Sequence, residues 1–151
     1  MTSEFVHLHN HSDYSLLDGA QRIDQLVNTI DDLNMDAVAL TEHGNMFSVL
    51  PYYKQAKKAG IKPIIGCEIY VAVGSRFEKK TRSDGGWGNN HLILLAQNFK
   101  GYRNLMKLVT AGYLEGFYYR PRIDMDLLRE YNEGLICMSA CLKGVVPEKM
   151  L

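Results

Sequence analysis

The stretch FVHLHNH at residues 5–11 sets the expectations for both the fold and the chemistry of this chain. It begins as an alternating apolar and polar run, which predicts a strand. In an extended backbone, side chains two residues apart lie on one face, so His7, His9 and His11 can converge on one cation. Imidazole nitrogen is a common ligand of zinc and similar ions. Histidines in this spacing, followed by Asp13 and Asp18, therefore predict a metal site at the end of a strand.

Outward from this stretch, short apolar runs alternate with segments of helical period. The patterns predict strands over residues 5–9, 36–41, 62–66, 91–96 and 134–139, and helices over residues 23–33, 48–60, 102–114 and 124–131. Ser48 and Gly60 are the expected caps of the second helix. The polar, glycine-rich residues 74–90 are predicted to form a loop. This alternation is typical of an α/β fold with a mainly parallel sheet, either open and doubly wound or part of a barrel.

The composition is that of one globular domain, with 46% hydrophobic and 23% charged residues in a chain of 151. It excludes collagen, coiled coils and intrinsic disorder. No apolar run reaches the roughly 18 residues of a membrane span, and the N-terminus lacks the basic start of a signal peptide. We therefore expect a cytoplasmic protein without a membrane partner. Three cysteines without a repeated spacing favour free thiols over disulfides, which agrees with that compartment.

The zero net charge conceals blocks of opposite charge. Residues 1–50 contain one basic residue against eight acidic ones, whereas residues 51–100 contain nine basic residues against three acidic ones. The acidic block also holds four of the five histidines, which favours the binding of a cation there. The basic block either meets a polyanion or forms an ordinary solvated surface.

Further candidate metal ligands follow or begin the later strands. His43 follows the second predicted strand, at the end where functional residues of parallel βα folds lie. Glu68 falls in an apolar strand, where a carboxylate is costly unless a cation compensates it. Cys141 follows the last strand, and its spacing is equally compatible with a small buried apolar residue. His91 begins its strand, so it lies at the opposite edge of the sheet unless the loop at residues 74–90 reverses the strand direction.

Four separated motifs resemble one known family. They are HLHNHSDYSLLDGA at residues 7–20, TEHGNMF at residues 41–47, GCE at residues 66–68 and GFYYRPRID at residues 116–124. In this order they are similar to the polymerase and histidinol phosphatase (PHP) domain, in the form that begins the alpha subunits of bacterial DNA polymerase III. The resemblance extends over the whole chain.

The resemblance implies a distorted seven-stranded α/β barrel that holds up to three divalent metal ions, usually zinc, manganese or iron. Carried over by position, the metal ligands are His9, His11, Asp18, His43, Glu68, His91 and Cys141, of which His9, His11, Asp18, His43 and Glu68 are the catalytic set. His7 becomes a supporting residue, and Glu42 stands where the family more often has Asp, a change of small expected effect. Because the family also has a later Asp-x-His pair, residues 1–151 are expected to be the N-terminal part of the barrel, without its later strands or the polymerase domains.

Hydrolysis of phosphoesters by metal ions held close together is the activity that the resemblance implies. In polymerases of this kind it takes the form of a 3′-to-5′ exonuclease that removes misincorporated nucleotides from a DNA primer-template. The other implied partners are the remaining domains of the alpha subunit, which use magnesium, and replisome subunits such as the sliding clamp or a separate exonuclease. Basic side chains that either hold the phosphate backbone or contact the rest of the polymerase are Lys79, Lys80, Arg82, Arg120 and Arg122.

Two other kinds of function remain open from the sequence. Relatives whose ligands have been replaced imply a non-catalytic scaffold that stabilises the polymerase and docks a proofreading exonuclease, although all seven ligand positions here are metal-competent. Another phosphoesterase such as a histidinol phosphatase, or an amidohydrolase barrel, would also carry histidines after its first strand. An amidohydrolase would be expected to have a metal-bridging lysine inside a central strand, and none of the predicted strands has a suitable one. The motifs at residues 14–19 and 118–124 favour the polymerase.

Overall fold

The fold is described by a computed structural model over residues 5–16, 18–80, 89–142 and 144–150. The helices in these ranges are α1 (Ile23–Asp32), α2 (Val49–Lys58), α3 (Phe99–Leu114), α4 (Met125–Glu130) and α5 (Pro147–Met150). The strands are β1 (Ala37–Leu40), β2 (Lys62–Ala72), β3 (Asn89–Ala96), β4 (Arg122–Ile123) and β5 (Leu135–Met138). Apart from the first predicted strand, every predicted helix and strand has a counterpart that begins within a few residues of its expected start.

The first helix forms as its apolar spacing predicts. The side chains that α1 buries are Ile23, Leu26, Val27 and Ile30. They pack with α2 and β1 in one hydrophobic cluster. In α2, Tyr52 is fully buried, and its hydroxyl donates a hydrogen bond to the carbonyl oxygen of Val38 in β1. This cluster therefore fixes both helices against the strand that precedes the candidate ligand His43.

Helix α2 ends as predicted, but its first residue is capped differently. Gly60 has φ +78°, in the left-handed region that favours glycine after a helix C-terminus. Ser48 occupies the N-cap position, yet its hydroxyl forms no capping hydrogen bond. The reason is that the backbone of Ser48 is already helical, with φ −80° and ψ −12°, so its side chain does not point at the first free N–H groups.

The described ranges contain a five-stranded sheet with the order β1-β2-β3-β5, in which β4 also pairs with β2. β1 and β4 are parallel to β2, whereas β3 is antiparallel to both β2 and β5. The prediction of a mainly parallel sheet is therefore wrong for half of these pairings. A parallel neighbour needs a crossover connection. Here β2 continues to Ala72, which lies opposite Asn89 at the start of β3, so the chain returns along the strand it has just formed.

Residues 5–9, predicted to form the first strand, lie with Asn10 beside β1 without belonging to a regular strand. The N–H of Ala39 donates to the carbonyl of His7 at 2.8 Å, and the N–H of Thr41 donates to the carbonyl of Asn10 at 2.9 Å. The side-chain amide of Asn10 donates to the carbonyl of Ala39 at 3.1 Å. A side chain thus makes one of the bonds that a strand ladder would make, and the segment is held at the edge of β1.

Strand β2 separates the main core from the face that carries Glu68. One face of β2 packs against α3 in a cluster that includes Cys67, Ile69, Val71, Leu105 and Leu108. Burial raises the pKa of the Cys67 thiol, which is therefore neutral and apolar in character. Side chains alternate along a strand, so Glu68 and Tyr70 lie on the opposite face. Each large apolar side chain buried behind β2 contributes about 2 kcal/mol, which anchors the strand under Glu68.

The cysteines and the helices bear on two predictions from composition, namely free thiols and no membrane-spanning segment. All three cysteines are free, as predicted, with Cys67 buried and Cys137 and Cys141 exposed. Among the residues that the structure describes, no helix combines the length and the apolar character that crossing a membrane requires.

The carboxylate of Asp124 ties the residues after β2 to helix α4. It accepts a hydrogen bond from the backbone N–H of Leu127 at 3.0 Å, which caps α4. It also accepts hydrogen bonds from the backbone N–H and the guanidinium of Arg76, both at 3.0 Å. Burial disfavours ionisation of this carboxyl group, but the N–H donors and the guanidinium outweigh that effect and hold the pKa of Asp124 below its usual range.

We expect Asp124→Asn to lower the free energy of unfolding by about 1–2 kcal/mol at neutral pH, because the ion pair with Arg76 and one acceptor oxygen are lost, while the amide oxygen can still cap α4. A carboxyl group whose pKa is lowered by folding stabilises the folded chain above its unfolded pKa of about 3.9, and it loses this contribution as the pH falls through its folded pKa. The difference between wild type and variant should therefore shrink below about pH 4 in urea unfolding experiments. Asp126→Asn, an exposed change on the same helix, is the control. A gap for Asp124→Asn that is unchanged in acid would contradict this account.

Candidate metal centre

The carboxylate of Glu68 lies at the centre of the candidate site. It is 3% exposed. Its Oε2 lies 2.7 Å from Nε2 of His9 and 3.5 Å from Nε2 of His11. Its Oε1 lies 2.9 Å from Nδ1 of His91 and 3.2 Å from Nδ1 of His43. The acid that the sequence places in an apolar strand is thus surrounded by imidazoles from three other segments of the chain.

His9 and His11 approach Glu68 from the segment beside β1. Their Nε2 atoms are 3.0 Å apart, and with Glu68 they offer three ligand atoms within 4.8 Å of one another. His7 does not join them, although its spacing predicts the same face. Its ring is exposed and lies edge-on to Phe5, at 4.8 Å between ring centres. The segment is not a regular strand, so strict alternation does not extend back to His7, whose carbonyl instead supports the pairing with β1.

His43 is positioned because pairing between β1 and β2 continues beyond the end of β1. The N–H of Glu68 donates to the carbonyl of Glu42 at 3.0 Å, and the N–H of Gly44 donates to the carbonyl of Glu68 at 2.8 Å. The ring of His43 therefore stands beside Glu68. Its Nε2 lies 2.7 Å from Oδ2 of Asp18, so this pair adds a second carboxylate to the site.

His91 and Cys141 complete the group of predicted ligands. His91 lies opposite Tyr70 in the antiparallel register, and residues directly opposite each other share a face, so His91 is on the same face as Glu68. The Sγ of Cys141 is 3.7 Å from Nδ1 of His91. The turn that carries Cys141 is held by a hydrogen bond from the N–H of Val145 to the carbonyl of His91 at 3.2 Å. The sequence leaves two positions open for His91, at either edge of the sheet. Because β3 runs antiparallel to β2, His91 lies at the edge that carries the site.

The charges of the site shift two pKa values in opposite directions. Burial alone would raise the pKa of Glu68, but the imidazoles of His11, His43 and His91 beside its oxygens outweigh it and hold that pKa far below its usual range. The adjacent carboxylate of Glu68 raises the pKa of His43 against the effect of burial, and Asp18 adds to the rise. The buried carboxylate of Glu68 is therefore anionic, which is the electrostatic condition that favours a divalent cation.

Glu42 organises the loop that carries Asp18. Its carboxylate is 1% exposed and accepts hydrogen bonds from the backbone N–H of Ser12, at 3.1 Å, and from the hydroxyls of Ser12 and Ser15. The hydroxyl oxygen of Ser15 in turn accepts a hydrogen bond from the N–H of His43 at 3.0 Å. Glu42 therefore sets the distance between this loop and His43. The sequence does not reveal this role, because the two serines lie 30 and 27 positions before Glu42.

The donor set fits a centre for divalent metal ions. The residues brought together are His9, His11, Asp18, His43, Glu68, His91 and Cys141. Imidazole, carboxylate and thiolate groups are the ligands that zinc and related transition ions prefer. Nδ1 of His11 is buried and has no hydrogen-bond partner within the described part of the chain. Nδ1 of His43 lies near Glu68 but outside hydrogen-bond geometry. Such buried nitrogens are available to a ligand.

The basic residues predicted to contact DNA lie in different environments. Lys79 and Lys80 are exposed after β2, and Arg82 lies outside the described residues. Arg120 is exposed, and its guanidinium carbon is 5.7 Å from the centre of the Tyr70 ring. This ring is also in edge contact with His91, at 5.1 Å between ring centres, so Arg120 stands at the border of the site.

Arg122 is buried, which corrects its prediction as a contact to DNA. It is 1% exposed, and its guanidinium donates hydrogen bonds to the carbonyls of Gly116 at 3.0 Å, Arg76 at 3.3 Å and Glu78 at 2.9 Å. Burial lowers the pKa of Arg122. A guanidinium enclosed by carbonyl oxygens cannot reach the phosphates of a bound strand. Its role is to fasten the loop before β4 to the residues after β2.

Comparison with known sequences gives one family. The sequence profile described as PHP domain matches residues 7–151. The chain is 58% identical over 149 residues to DNA polymerase III subunit alpha from Borreliella burgdorferi, an alignment that covers 99% of this chain and 13% of that protein. It is 52% identical to DNA polymerase III subunit alpha from Aquifex aeolicus, over 96% of this chain and 13% of that protein. The chain thus spans a small part of the length of the curated relatives it matches.

Comparison with solved structures concerns the fold alone. An amidohydrolase from Chromobacterium violaceum superposes with a TM-score of 0.50 at 21% sequence identity, over 70% of this chain and 32% of that chain. The α/β arrangement of the described residues is thus shared with part of that longer chain.

Proposed function

The chain belongs to the PHP domain family, and from this premise we propose that it is a metal-dependent phosphoesterase that trims the 3′ end of a DNA strand as part of a replicative DNA polymerase. The observation that carries the proposal is the placement of histidines from three segments around the buried Glu68. Imidazole and carboxylate groups arranged in this way are ligands of divalent transition-metal ions.

The residues of the chain would hold the metal ions in three overlapping groups. Glu68 is shared among them, with His9 and His11 at one oxygen and His43 and His91 at the other. Asp18 extends the group around His43, and Cys141 extends the group around His91. When bound there, divalent cations supply Lewis acidity toward a phosphoryl oxygen.

The site is open to a substrate on the side of His9 and Asp18. The side chain of His9 is 37% exposed and that of Asp18 is 60% exposed, whereas Glu68 and Glu42 are buried behind them. The buried residues fix the geometry, and the exposed ones face the solvent from which a phosphodiester would arrive. This division of roles is typical of a catalytic site built on a rigid scaffold.

DNA is the proposed substrate because the polymerase subunits that the chain matches act on DNA, as their names state. The 3′ end would come from a primer-template in the polymerase active site, in the part of the protein beyond this chain. The sliding clamp, the magnesium-dependent polymerase domains and a separate exonuclease are the partners proposed on the same ground.

The test is metal analysis of the purified full-length protein together with digestion of a primer that carries a mismatched 3′ end, because residues 1–151 are expected to lack two of the ligands of the complete barrel. We expect wild type to bind divalent metal and to release nucleotides from the 3′ end, and His9→Ala and Asp18→Ala to do neither. His7→Ala is the matched control, because His7 lies on the same segment but outside the site. Equal, low metal content and equal, low digestion in all four proteins would instead support the non-catalytic scaffold.

A further inference from the structure

The loop between α3 and β4, residues 116–121, is built to keep one shape. The buried guanidinium of Arg122 donates to the carbonyl of Gly116 at its far end. Within the loop, the N–H of Tyr118 donates to the carbonyl of Arg120 at 3.1 Å. Tyr119, between them, has φ +58°, a left-handed conformation that is rare for a residue with a bulky side chain. Strain of this kind persists where the surroundings impose it, and it is found most often at functional sites.

This loop lies directly against the candidate metal centre. At Gly44, which follows His43 and has φ +63°, an added Cβ would meet Pro121 at 2.8 Å and the Tyr70 ring at 2.9 Å. The backbone next to the ligand His43 therefore touches the residue next to Arg120. The ring of Tyr70 bridges the guanidinium of Arg120 and the imidazole of His91.

Arg120 supplies an exposed positive charge at the border of the candidate metal centre. Among the residues that the structure describes, it has no carboxylate partner, in contrast to Arg76, which pairs with Glu115 and Asp124. A guanidinium presents a planar set of donors that matches a phosphate group. Its position across the Tyr70 ring from His91 favours an anion that a metal centre also attracts, and a phosphate diester is such an anion.

A row of exposed aromatic rings begins in the same loop. Phe117 is 46% exposed and stacks on Tyr113 of α3 at 6.2 Å between ring centres. Tyr113 in turn lies 6.2 Å from Phe47, which is 65% exposed. Exposed aromatic rings together with basic side chains are the elements with which proteins bind single-stranded nucleic acid, because every base has a face that can stack. The row is longer than a single nucleotide needs.

We propose that this loop is the wall of the site that binds the substrate strand: Arg120 contacts a backbone phosphate, and Phe117 with Tyr113 and Phe47 stacks the unpaired bases behind the 3′ end. The ligand is a single-stranded nucleic acid, and the wall selects it over small phosphate esters. This inference rests on the proposed function.

The test is fluorescence anisotropy of a labelled phosphorothioate oligothymidine with the chain in the presence of Mn²⁺. We expect Arg120→Gln to weaken binding about tenfold, and Arg120→Lys to weaken it less. The plot of log affinity against log salt should become shallower by about 0.7, the value for one lost contact to single-stranded DNA. Phe117→Ala should also weaken binding about tenfold. The matched controls are Arg103→Gln and Phe99→Ala, which change exposed residues of α3 outside this loop. Both variants should bind the strand as wild type does.

The outcomes separate this inference from the proposed function. Strand binding that is unchanged in Arg120→Gln and Phe117→Ala, with normal metal content, would overturn the inference and leave the metal centre standing. Inorganic phosphate or thymidine monophosphate competing as well as the strand would also overturn it, since the site would then select a small anion. If strand binding depends on Arg120 in a chain that takes up no metal, the proposed role of this loop in strand binding would be supported. The proposed metal-dependent hydrolysis would be contradicted by the same result.

Discussion

Replacing Glu68 with glutamine is expected to lower the affinity of the chain for Zn²⁺ or Mn²⁺ by about a hundredfold or more, because even partners of metal ligands are worth 10- to 100-fold. Glu68 is the group that the other ligands share, with two histidines at each oxygen. Glutamine keeps the volume and one oxygen but removes the negative charge, and its amide group presents N–H donors to imidazole nitrogens that must be free to coordinate. The loss therefore exceeds that of a single peripheral ligand.

The measurement is isothermal titration of the metal-depleted chain, with thermal unfolding recorded in parallel to show that the variant is folded. Glu133→Gln removes one negative charge from an exposed position, where its side chain is 74% exposed, and is the control for net charge. A folded Glu68→Gln that binds metal as tightly as wild type would show that Glu68 serves the histidines alone.

Replacing Glu42 with alanine is expected to lower the free energy of unfolding by about 3 kcal/mol, because it leaves buried donors without an acceptor. The N–H and hydroxyl of Ser12 and the hydroxyl of Ser15 all donate to this carboxylate, and all three residues are buried. Loss of the acceptor also frees the loop to move relative to His43, so metal affinity should fall by about tenfold as well.

Urea unfolding and metal titration of the same samples measure the two effects. Ser15→Ala provides the graded comparison, since it removes one donor and leaves the carboxylate with Ser12; a loss of about 1 kcal/mol is expected. Glu42→Asp, which has the shorter acid common in the family, should lie between wild type and Glu42→Ala. A stable Glu42→Ala with wild-type metal affinity would mean that the loop is held by other contacts.

The part of the site that could be predicted from the sequence is the part that depends on local spacing. His9 and His11 stand two positions apart on one segment, and His43 follows a short buried strand, so periodicity indicates where they project. Glu68 is conspicuous because a carboxylate in an apolar strand needs a partner. The structure brings these residues together, as that reasoning expects.

The remaining features depend on contacts that are distant in sequence. The position of His91 turns on the direction of β3, which nothing in its own apolar run specifies. Arg122 and Arg120 are two positions apart in one motif, yet one is enclosed by carbonyl oxygens and the other is exposed. This difference in burial depends on how the loop folds back on Gly116, which the amino-acid composition does not predict.

The path of the chain around β2 determines when the centre can form during folding. His9 lies 59 positions before Glu68, and Cys141 lies 50 positions after His91. Contacts across such separations require long loops to close first, which is slow and entropically costly. During synthesis, almost the whole segment has to leave the ribosome before the thiol can reach the imidazoles. We therefore expect the cation to bind after the sheet has assembled and to stabilise it, rather than to nucleate it.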